Sequence, residues 1–406
     1  MKIFHHYHHS KLHSIIHSDF WKFEISVWLH MIGYSVISVF IPILMLTAGY
    51  SLEMVMVYYA IFFIIDIPLN FLARGLVRRI GARLVIILAT FAVIIYFALF
   101  PYLAGGQFLI LIVLALLAAI YDTFYWVGHL YVFIESSEKL EEVSRNNGIL
   151  NGIKSFGGML GPAIGAGVLI FTTQSALLSV SIIFLTLSLV PLLSLKHIKD
   201  KPLSDSLSFK EFFKEFPEKK NFLSWFFYSI PMGANETIWP VFIFVLFGTL
   251  KSIALVALIV SVSKIVFSYT SGIASVRNRE KLMFVGITCT LFIWILRLLY
   301  ANPFFYYLSI LLIGFFTVLI EVPLDSSIYE RARLKDQSLN ASTFRNIAGM
   351  LPQGILFVIL ALLVGVFKIS FFSAIASLVL LLLVSQGLLY LNKNKNSLEP
   401  NSHHKI

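Results

Sequence analysis

Charged residues are scarce in this chain of 406 residues, since Asp, Glu, Lys and Arg together make up 13% of it, about half of their share in an average soluble domain. So few charges cannot cover a water-facing surface, which excludes a soluble globular protein. Cysteine is scarcer still: Cys289 is the only one, which excludes a disulfide framework. The sequence also lacks a P-loop, an HExxH pair and a paired-Asp motif, which argues against a nucleotide-driven pump and a metal-dependent enzyme.

Long hydrophobic runs are what the chain has instead. Hydrophobic residues make up 58% of it, and stretches of about 20 residues, the length that crosses a bilayer as a helix, recur from end to end. We count twelve such runs, at 23–49, 52–73, 82–101, 106–134, 145–170, 173–196, 221–248, 250–275, 281–300, 303–330, 337–366 and 368–392. The first is too long for the core of a signal peptide, so no cleavable leader is expected. The pattern predicts an all-α membrane protein with twelve transmembrane helices.

The basic residues occur in every second loop. The net charge is +10, and 25 of the 31 Lys and Arg residues lie in the two terminal segments and in the loops after the second, fourth, sixth, eighth and tenth runs. The positive-inside rule places these segments, and therefore both termini, in the cytoplasm. We expect a multi-pass protein of the plasma (inner) membrane, surrounded by the lipid bilayer and with no nucleic-acid partner.

A polar break divides the twelve runs into six and six. The predicted segments are a His-rich cytoplasmic arm (1–22), an N-terminal six-helix bundle (23–196), a cytoplasmic linker (197–220), a C-terminal six-helix bundle (221–393) and a cytoplasmic tail (394–406). Within the linker, SFKEFFKEF is compatible with a short amphipathic helix on the membrane surface or with a plain connection.

The two halves resemble each other. KSFGGMLGP (154–162) aligns with RNIAGMLPQ (345–353) at an offset of 191. The loop after the second run aligns with the loop after the eighth at an offset of 198, which places Asp66 opposite Lys264. We expect a duplicated six-helix unit, an arrangement with which transporters build a site between repeats.

The fifth run carries small residues at helical spacing. Gly158, Gly161 and Gly165 recur every three or four residues, so they share a helix face, and Lys154 stands at the start of the same run. In a bilayer such a face allows two helix backbones to approach closely, while Pro162 bends the helix. Tight packing alone and the lining of a cavity are both open, and the charge favours the cavity.

The same stretch resembles a known motif. GGMLGPAIGAG (157–167) is similar to the glycine–proline motif in the fifth helix of the major facilitator superfamily, which is best developed in proton-coupled drug exporters. The loop RGLVRRIGAR (74–83) is similar to the signature loop of that superfamily. Arg79 and Arg83 match the signature, whereas Arg78 replaces the acidic residue of the family's conformational latch. The resemblance implies the superfamily fold, two pseudo-symmetric six-helix bundles that alternate in access.

Ionisable residues inside the apolar runs are the candidates for function, because a charge at mid-bilayer is costly and normally faces a cavity or a partner. In the superfamily, the first, fourth, seventh and tenth helices line the central cavity. The resemblance thus implies a substrate cavity formed by Tyr34, Asp122, Tyr125, Trp126, Glu236, Trp239 and Glu321. Glu236 and Asp122 are the candidates for proton coupling.

Other charged residues are candidates for gating and charge pairs: Asp66, Lys154, Lys264, Arg345, Arg79 and Arg83. Asp66 and Arg345 lie at similar depths from the cytoplasmic side, on helices that are neighbours in the superfamily. We expect them to approach each other when the cavity is closed to the cytoplasm. Glu321 is the competing partner of Arg345.

Alternatives remain for further residues of the runs. Asp122 and Lys154, at similar depth on adjacent helices, either neutralise each other or act separately. His129 is either a hydrogen-bonded packing residue or a proton relay. Arg297, near the outer end of the ninth run, is predicted to extend its charge to the membrane interface.

The N-terminal HHYHHSKLHSIIH holds six of the eleven histidines. His9, His13 and His17 are four residues apart and would share a helix face, which makes them candidates for a zinc or nickel site. A solvated arm that becomes cationic below about pH 6.5 and touches anionic lipid is the simpler explanation.

Together these features predict a secondary active transporter of a small solute, monomeric, without a cofactor, and coupled to a proton or another ion. The glycine–proline motif favours export, and the aromatic, net-acidic cavity residues favour amphipathic or cationic compounds. A symporter for uptake of a sugar, an amino acid or another metabolite is the alternative with the same fold. A membrane-embedded transferase for a lipid-linked substrate is the alternative of another class, and the short loops argue against it.

Overall fold

Helices make up all the regular structure in the part of the chain that the structure, a computed structural model, describes: residues 19–136, 140–195, 208–248, 255–256, 259, 279–300, 302–363 and 365–398. In chain order they are α1 (Asp19–Ser38), α2 (Ile41–Thr47), α3 (Leu52–Ile80), α4 (Ala82–Leu99), α5 (Phe108–Ser136), α6 (Leu140–Phe171), α7 (Gln174–Leu193), α8 (Phe209–Lys214), α9 (Phe216–Gly233), α10 (Trp239–Phe247), α11 (Arg279–Leu299), α12 (Pro303–Leu334), α13 (Ser338–Leu362) and α14 (Val366–Leu398). A π-helical turn, Ala234–Ile238, joins α9 to α10.

Ten helical stretches among the described residues are long and apolar enough to cross a membrane. The 32-residue α6 contains the whole fifth predicted run. The eighth run, 250–275, lies almost entirely outside the described residues. Large apolar side chains remain exposed on the outside of the bundle, among them Phe91 at 52% and Phe292 at 60%. Such a surface suits lipid rather than water. The predicted all-α membrane architecture is confirmed.

Helix ends follow from local chemistry. The Ser51 hydroxyl accepts a hydrogen bond from the Met54 N–H at the start of α3, and Gly81, with φ of +86°, ends that helix. Positive φ is a conformation that glycine adopts without steric cost.

The segment SFKEFFKEF does form a short helix, α8, which begins with a capping box between Ser208 and Glu211. The hydrogen bond from the Ser208 backbone N–H lowers the pKa of the Glu211 carboxyl. Phe212 is buried against Phe344 of α13, with the ring centroids 5.6 Å apart. This apolar residue therefore packs on protein rather than on a membrane surface.

The helices pack in two groups that meet along the middle of the molecule. In the first half α1 lies against α6 and α7, and α4 lies against α5; in the second half α9 lies against α13 and α14. Between the halves, α3 packs along α13 and α6 packs on α12. Helices from both halves therefore surround the central space.

Because successive spans cross in opposite directions, alternate loops share a side of the bundle. The basic side, as we name it, is the one on which α3, α5, α7 and α12 end and on which α1 begins. The opposite side carries the turns between α4 and α5 and between α13 and α14.

The glycine-rich face of α6 lies directly on α1. A Cβ atom added to Gly157 would stand 2.8 Å from the Met31 Cβ, and one added to Gly165 would stand 2.5 Å from the Val36 carbonyl oxygen. Both separations are too short for a side chain, so the backbones are in contact. Gly161 faces Ser35 on the same seam, and Pro162 is buried within α6.

Candidate functional site

A cavity of about 460 Å³ lies between the two halves. It is lined by α1, α3, α5 and α6 of the first half and by the π-helical turn, α12 and α13 of the second. It reaches from Tyr329 and Asn151 in the direction of the basic side to Val39 and Ile41 near the opposite side. Both halves therefore contribute to one site.

Most of the predicted cavity residues line this space: Tyr34, Asp122, Trp126, Glu236 and Glu321. Lys154 and Arg345, predicted as gating or pairing residues, line it as well. The remaining lining is largely aromatic, with Tyr58, Tyr59, Phe62, Phe63, Tyr96 and Tyr121 on the first half. The cavity thus combines ring faces with a few charges of both signs.

Tyr125 and Trp239 do not line the cavity, which corrects the prediction for both. Tyr125 is 3% exposed and stacks on His30, with the ring centroids 3.9 Å apart. Tyr125 shares a helix face with Tyr121, which does line the cavity, so the stacked His30 ring and not helix rotation accounts for its burial. Trp239 follows the π-helical turn, which alters the register of the residues after it, and it is fully buried.

The π-helical turn presents Glu236 to the cavity. Gly233 and Pro231 precede the turn, and Asn235 and Glu236 within it both line the cavity. Wide helical turns of this kind are frequently found at functional sites, because they redirect side chains without ending the helix. The irregularity ends two residues before Pro240.

Arg345 pairs with Asp325 and not with Asp66. Its Nε donates to Asp325 Oδ1 at 3.2 Å, and its guanidinium lies 4.2 Å from the centroid of the Trp225 ring. The Asp66 carboxylate instead accepts from the Thr123 hydroxyl and from Asn70. The predicted Asp66–Arg345 contact is therefore wrong for this conformation.

The competing prediction, a Glu321–Arg345 ion pair, is not confirmed either. Asp325 stands one helical turn further along α12 and takes that place. Asp66 reaches α13 only indirectly, because Asn70, which hydrogen-bonds to it, accepts from the Asn346 side-chain amide at 2.9 Å. Which carboxylate an arginine meets depends on helix rotation as well as depth, and sequence supplies only the depth.

Asp122 and Lys154 form no ion pair in this structure, which removes the alternative of direct mutual neutralisation. Lys154 Nζ lies 5.2 Å from the centroid of the Trp126 ring, a cation–π distance. The basic neighbour of Asp122 is Arg345 across the cavity. Asp122 Oδ2 is buried and has no hydrogen-bond partner among the described residues.

The glycines of α6 divide between the two roles that the sequence left open. Gly158 lines the cavity with Lys154, the role that the charge favoured, so its assignment to helix packing is corrected, while Gly157 lies on the seam with α1. Arg297 does not reach the membrane interface: it is 3% exposed, and its guanidinium lies 3.5 Å from the Trp239 ring and 4.7 Å from the Trp294 ring. The rings and the acceptors Ser309 and Asn235 give it an internal environment that hydropathy cannot reveal.

The halves are joined at the basic side by side chains that sequence reasoning missed. Arg333 Nη1 donates to Glu135 Oε2 at 3.1 Å, and the Ser338 hydroxyl donates to Glu135 Oε1 at 2.6 Å. Arg74 Nη2 donates to Asn340 Oδ1 at 2.5 Å. These contacts hold the two halves together at the basic side. The signal was present as opposite charges near the ends of the fourth and tenth runs.

The contacts described for Arg79 and Arg83 do not place them in this junction. Arg79 is exposed on the basic side, and Arg83 Nη1 donates to the Leu195 carbonyl within the first half. Lys264 lies outside the described residues, as do His9, His13 and His17. In the part that the structure describes, no cluster of three His, Cys, Asp or Glu side chains could hold a metal ion.

Comparison with known proteins identifies the family. A family model for the Major Facilitator Superfamily matches residues 24–355. The chain belongs to the major facilitator superfamily. It is therefore a secondary membrane transporter and not an enzyme, which excludes the lipid-linked transferase. No curated protein sequence matches the chain.

Solved structures of this superfamily share the fold. The human organic anion transporter MFSD10 (TETRAN) has a TM-score of 0.68 at 12% identity, covering 90% of this chain and 98% of its own. A bacterial homologue of the iron transporter ferroportin in the outward-facing state has a TM-score of 0.70 at 17% identity, covering 91% of this chain and 98% of its own. FucP, a Major Facilitator Superfamily transporter in the outward conformation, has a TM-score of 0.63 at 13% identity, covering 90% of this chain and 97% of its own. The predicted superfamily fold is confirmed.

Proposed function

We propose that this transporter moves amphipathic or cationic organic solutes by alternating access, in exchange for protons. The observation that carries the proposal is the composition of the cavity. Among the described residues, its lining includes the acidic side chains Asp122, Glu236 and Glu321 together with the basic side chains Lys154 and Arg345, and Arg345 pairs with Asp325. Carboxylates among aromatic rings favour an organic cation through Coulomb and cation–π attraction.

The named substrates of the structural neighbours differ, an organic anion in one and iron in another, so the proposal rests on the cavity of this chain. Two probes of equal shape and opposite charge test it: tetraphenylphosphonium and tetraphenylborate. The cation should raise the apparent Tm of the purified protein, because a ligand that binds only the folded state stabilises it. A larger shift with the anion would contradict the cationic substrate class.

For coupling, we propose that Asp122 and Glu236 carry the exchanged proton. Both carboxyls line the cavity, so a cation bound there would lie close to each of them and favour release of a proton. Asp122→Asn and Glu236→Gln should each abolish ethidium movement driven by a proton gradient in proteoliposomes, yet retain ethidium exchange without a gradient. Loss of exchange as well would assign the residue to substrate binding or structure.

Export is the proposed direction, and the glycine–proline seam between α6 and α1 supports it through the resemblance to exporters. Uptake by a symporter of the same fold is the alternative. Proteoliposomes with a proton gradient imposed in either direction distinguish the two mechanisms. A proton-exchange transporter moves ethidium in the direction opposite to the proton flux, and a proton symporter moves it in the same direction.

We also propose that the basic side is cytoplasmic, as in the plasma (inner) membrane of a bacterium, and that the protein works as a monomer of two duplicated bundles, 23–196 and 221–393. The exposed Arg79 offers a test of orientation. In Cys289→Ser, a cysteine at position 79 should react with a membrane-impermeant maleimide only after the cytoplasmic face is opened. Labelling of intact cells would reverse the orientation.

A further inference from the structure

A second group of ionisable side chains lies inside the first half, behind the wall of the cavity. It consists of Glu24 and His30 on α1 and His129 on α5, which are 1%, 1% and 0% exposed. We name it the inner polar cluster. None of these residues lines the cavity, so neither the proposed substrate site nor its coupling carboxylates use them.

The polar atoms of this cluster are mostly without partners. Among the described residues, neither carboxylate oxygen of Glu24, neither ring nitrogen of His129, nor Nδ1 of His30 has a hydrogen-bond partner. A buried carboxylate without a hydrogen bond or an ion pair is among the most costly groups in a protein interior. Glu24 therefore either holds a proton or depends on a nearby positive charge.

Lys154 supplies that charge. It acts electrostatically on both Glu24 and His129, and it also lines the cavity. Its Nζ lies over Trp126, whose ring is 5.0 Å from the ring of His129. Arg345, which also lines the cavity, acts on His129 but not on Glu24. Among the described residues, Lys154 is therefore the basic group that links the cavity to Glu24.

Among the described residues, few other titratable groups surround Glu24. From α5 the ionisable neighbour is Tyr125, and from α6 it is Lys154. His129 of α5 lies against the adjacent residue Phe23, with the ring centroids 5.0 Å apart. The sequence of α7, the third helix packed on α1, has no ionisable residue. On α1 itself, His30 Nε2 shares a hydrogen bond of 2.8 Å with the hydroxyl of Tyr121, which lines the cavity.

We propose that Glu24 is a proton-binding site separate from the cavity carboxylates and that the charge of Lys154 governs its protonation. In loading, an O–H bond of a hydronium ion breaks and an O–H bond forms on the Glu24 carboxylate, which leaves a water molecule. Emptying reverses this step, and Lys154 keeps its own proton throughout. The proposal rests on the transporter function and concerns the same cavity.

Infrared difference spectroscopy across a pH titration tests it on the purified full-length protein without substrate. Wild type should show a carbonyl stretch of a protonated carboxyl in dry surroundings, and Glu24→Gln should remove that band. Glu24→Asp should shift the band and retain it. Glu53→Gln is the matched control, because Glu53 is exposed at the start of α3 and its carboxyl vibrates in water.

Lys154→Gln tests whether the ammonium group governs the protonation of Glu24. Without the ammonium, the Glu24 band should persist at a pH at which wild type has lost it. A spectrum of Glu24→Gln identical to wild type at every pH, from a variant that elutes as a folded monodisperse protein, would overturn the proposal. The Asp122→Asn/Glu236→Gln double variant should keep the Glu24 band, so failure of the cavity coupling residues is distinguishable from failure of this site.

Discussion

Arg333 donates to Glu135 at 3.1 Å across the junction of the two halves, and these residues are 198 positions apart in the sequence. The same offset aligns the loop after the second run with the loop after the eighth. Under the proposed duplication, Glu135 and Arg333 are equivalent positions that meet where the halves face each other. The first half carries an acidic residue at this position and the second half a basic one, so the two side chains attract each other.

Breaking this pair should favour opening of the basic side. Both side chains are under a third exposed, so we expect Glu135→Gln or Arg333→Gln to shift the ratio of closed to open molecules about fivefold, corresponding to about 1 kcal/mol. The exchange Glu135→Arg/Arg333→Glu should recover most of the closed form. Spin labels on cysteines at the exposed positions Arg79 and Lys281 report the separation of the halves in a Cys289→Ser background.

A second ion pair offers the matched control. Arg279 and Glu330 lie 2.9 Å apart, with similar exposure, but both belong to the second half. Removing that pair should leave the label distance unchanged. Equal effects of the two pairs would mean that Glu135 and Arg333 contribute to general stability and not to closure.

The Asp325–Arg345 pair should be required for stability. Asp325 is 2% and Arg345 13% exposed in their side chains, and loss of one partner leaves a buried charge, at a cost of about 3–5 kcal/mol. Asp325→Asn and Arg345→Gln should both lower the apparent Tm. The exchange Asp325→Arg/Arg345→Asp should restore part of it, whereas Asp66→Arg/Arg345→Asp should not. Recovery by the second exchange would return Asp66 to the role of partner.

The sequence identified helices, their ends and the depth of each charge, because hydropathy and loop charge vary along the chain. The family resemblance placed Asp122, Trp126 and Glu236 at the cavity. It failed for Tyr125, which is covered by the His30 ring, and hydropathy failed for Arg297, where the direction around the helix axis decides the environment.

Side-chain contacts between distant parts of the chain could not be predicted from the sequence either. Glu135 and Arg333 meet because the two bundles pack against each other. Arg345 pairs with Asp325, which lies one helical turn after Glu321 on α12. The unpartnered Glu24 shows the same limit, since local sequence does not reveal which side chains surround a buried carboxyl.

The seam between α6 and α1 should tolerate no added methyl group. Gly165→Ala would place a Cβ 2.5 Å from the Val36 carbonyl oxygen, and overpacking of this kind costs about 1–3 kcal/mol. Gly167 on the same helix has open space around its Cβ position. Thermal unfolding followed by tryptophan fluorescence should therefore show a lower apparent Tm for Gly165→Ala and no decrease for Gly167→Ala. A decrease of equal size in both would indicate helix propensity or general sensitivity.

Arg297 should not be replaceable by lysine. Its planar guanidinium stacks on Trp239 while Nε and Nη1 reach Ser309 and Asn235, and an ammonium cannot make these contacts together. Arg297→Lys should lower the apparent Tm and change the tryptophan emission spectrum. Arg279→Lys, on the same helix but at a partly exposed ion pair, should change stability by about 1 kcal/mol or less. An unaltered Arg297→Lys protein would show that a cation of any shape suffices.

Alternating access is the central claim, and distances on both sides of the bundle test it most directly. The label pair at positions 79 and 281 reports the basic side, and a second pair at the exposed Gln107 and Lys368 reports the opposite side. In lipid nanodiscs, double electron–electron resonance should show two populations of distances for each label pair. Glu135→Gln should lengthen the first distance and shorten the second together. Distances that stay single, or that lengthen on both sides at once, would contradict the account.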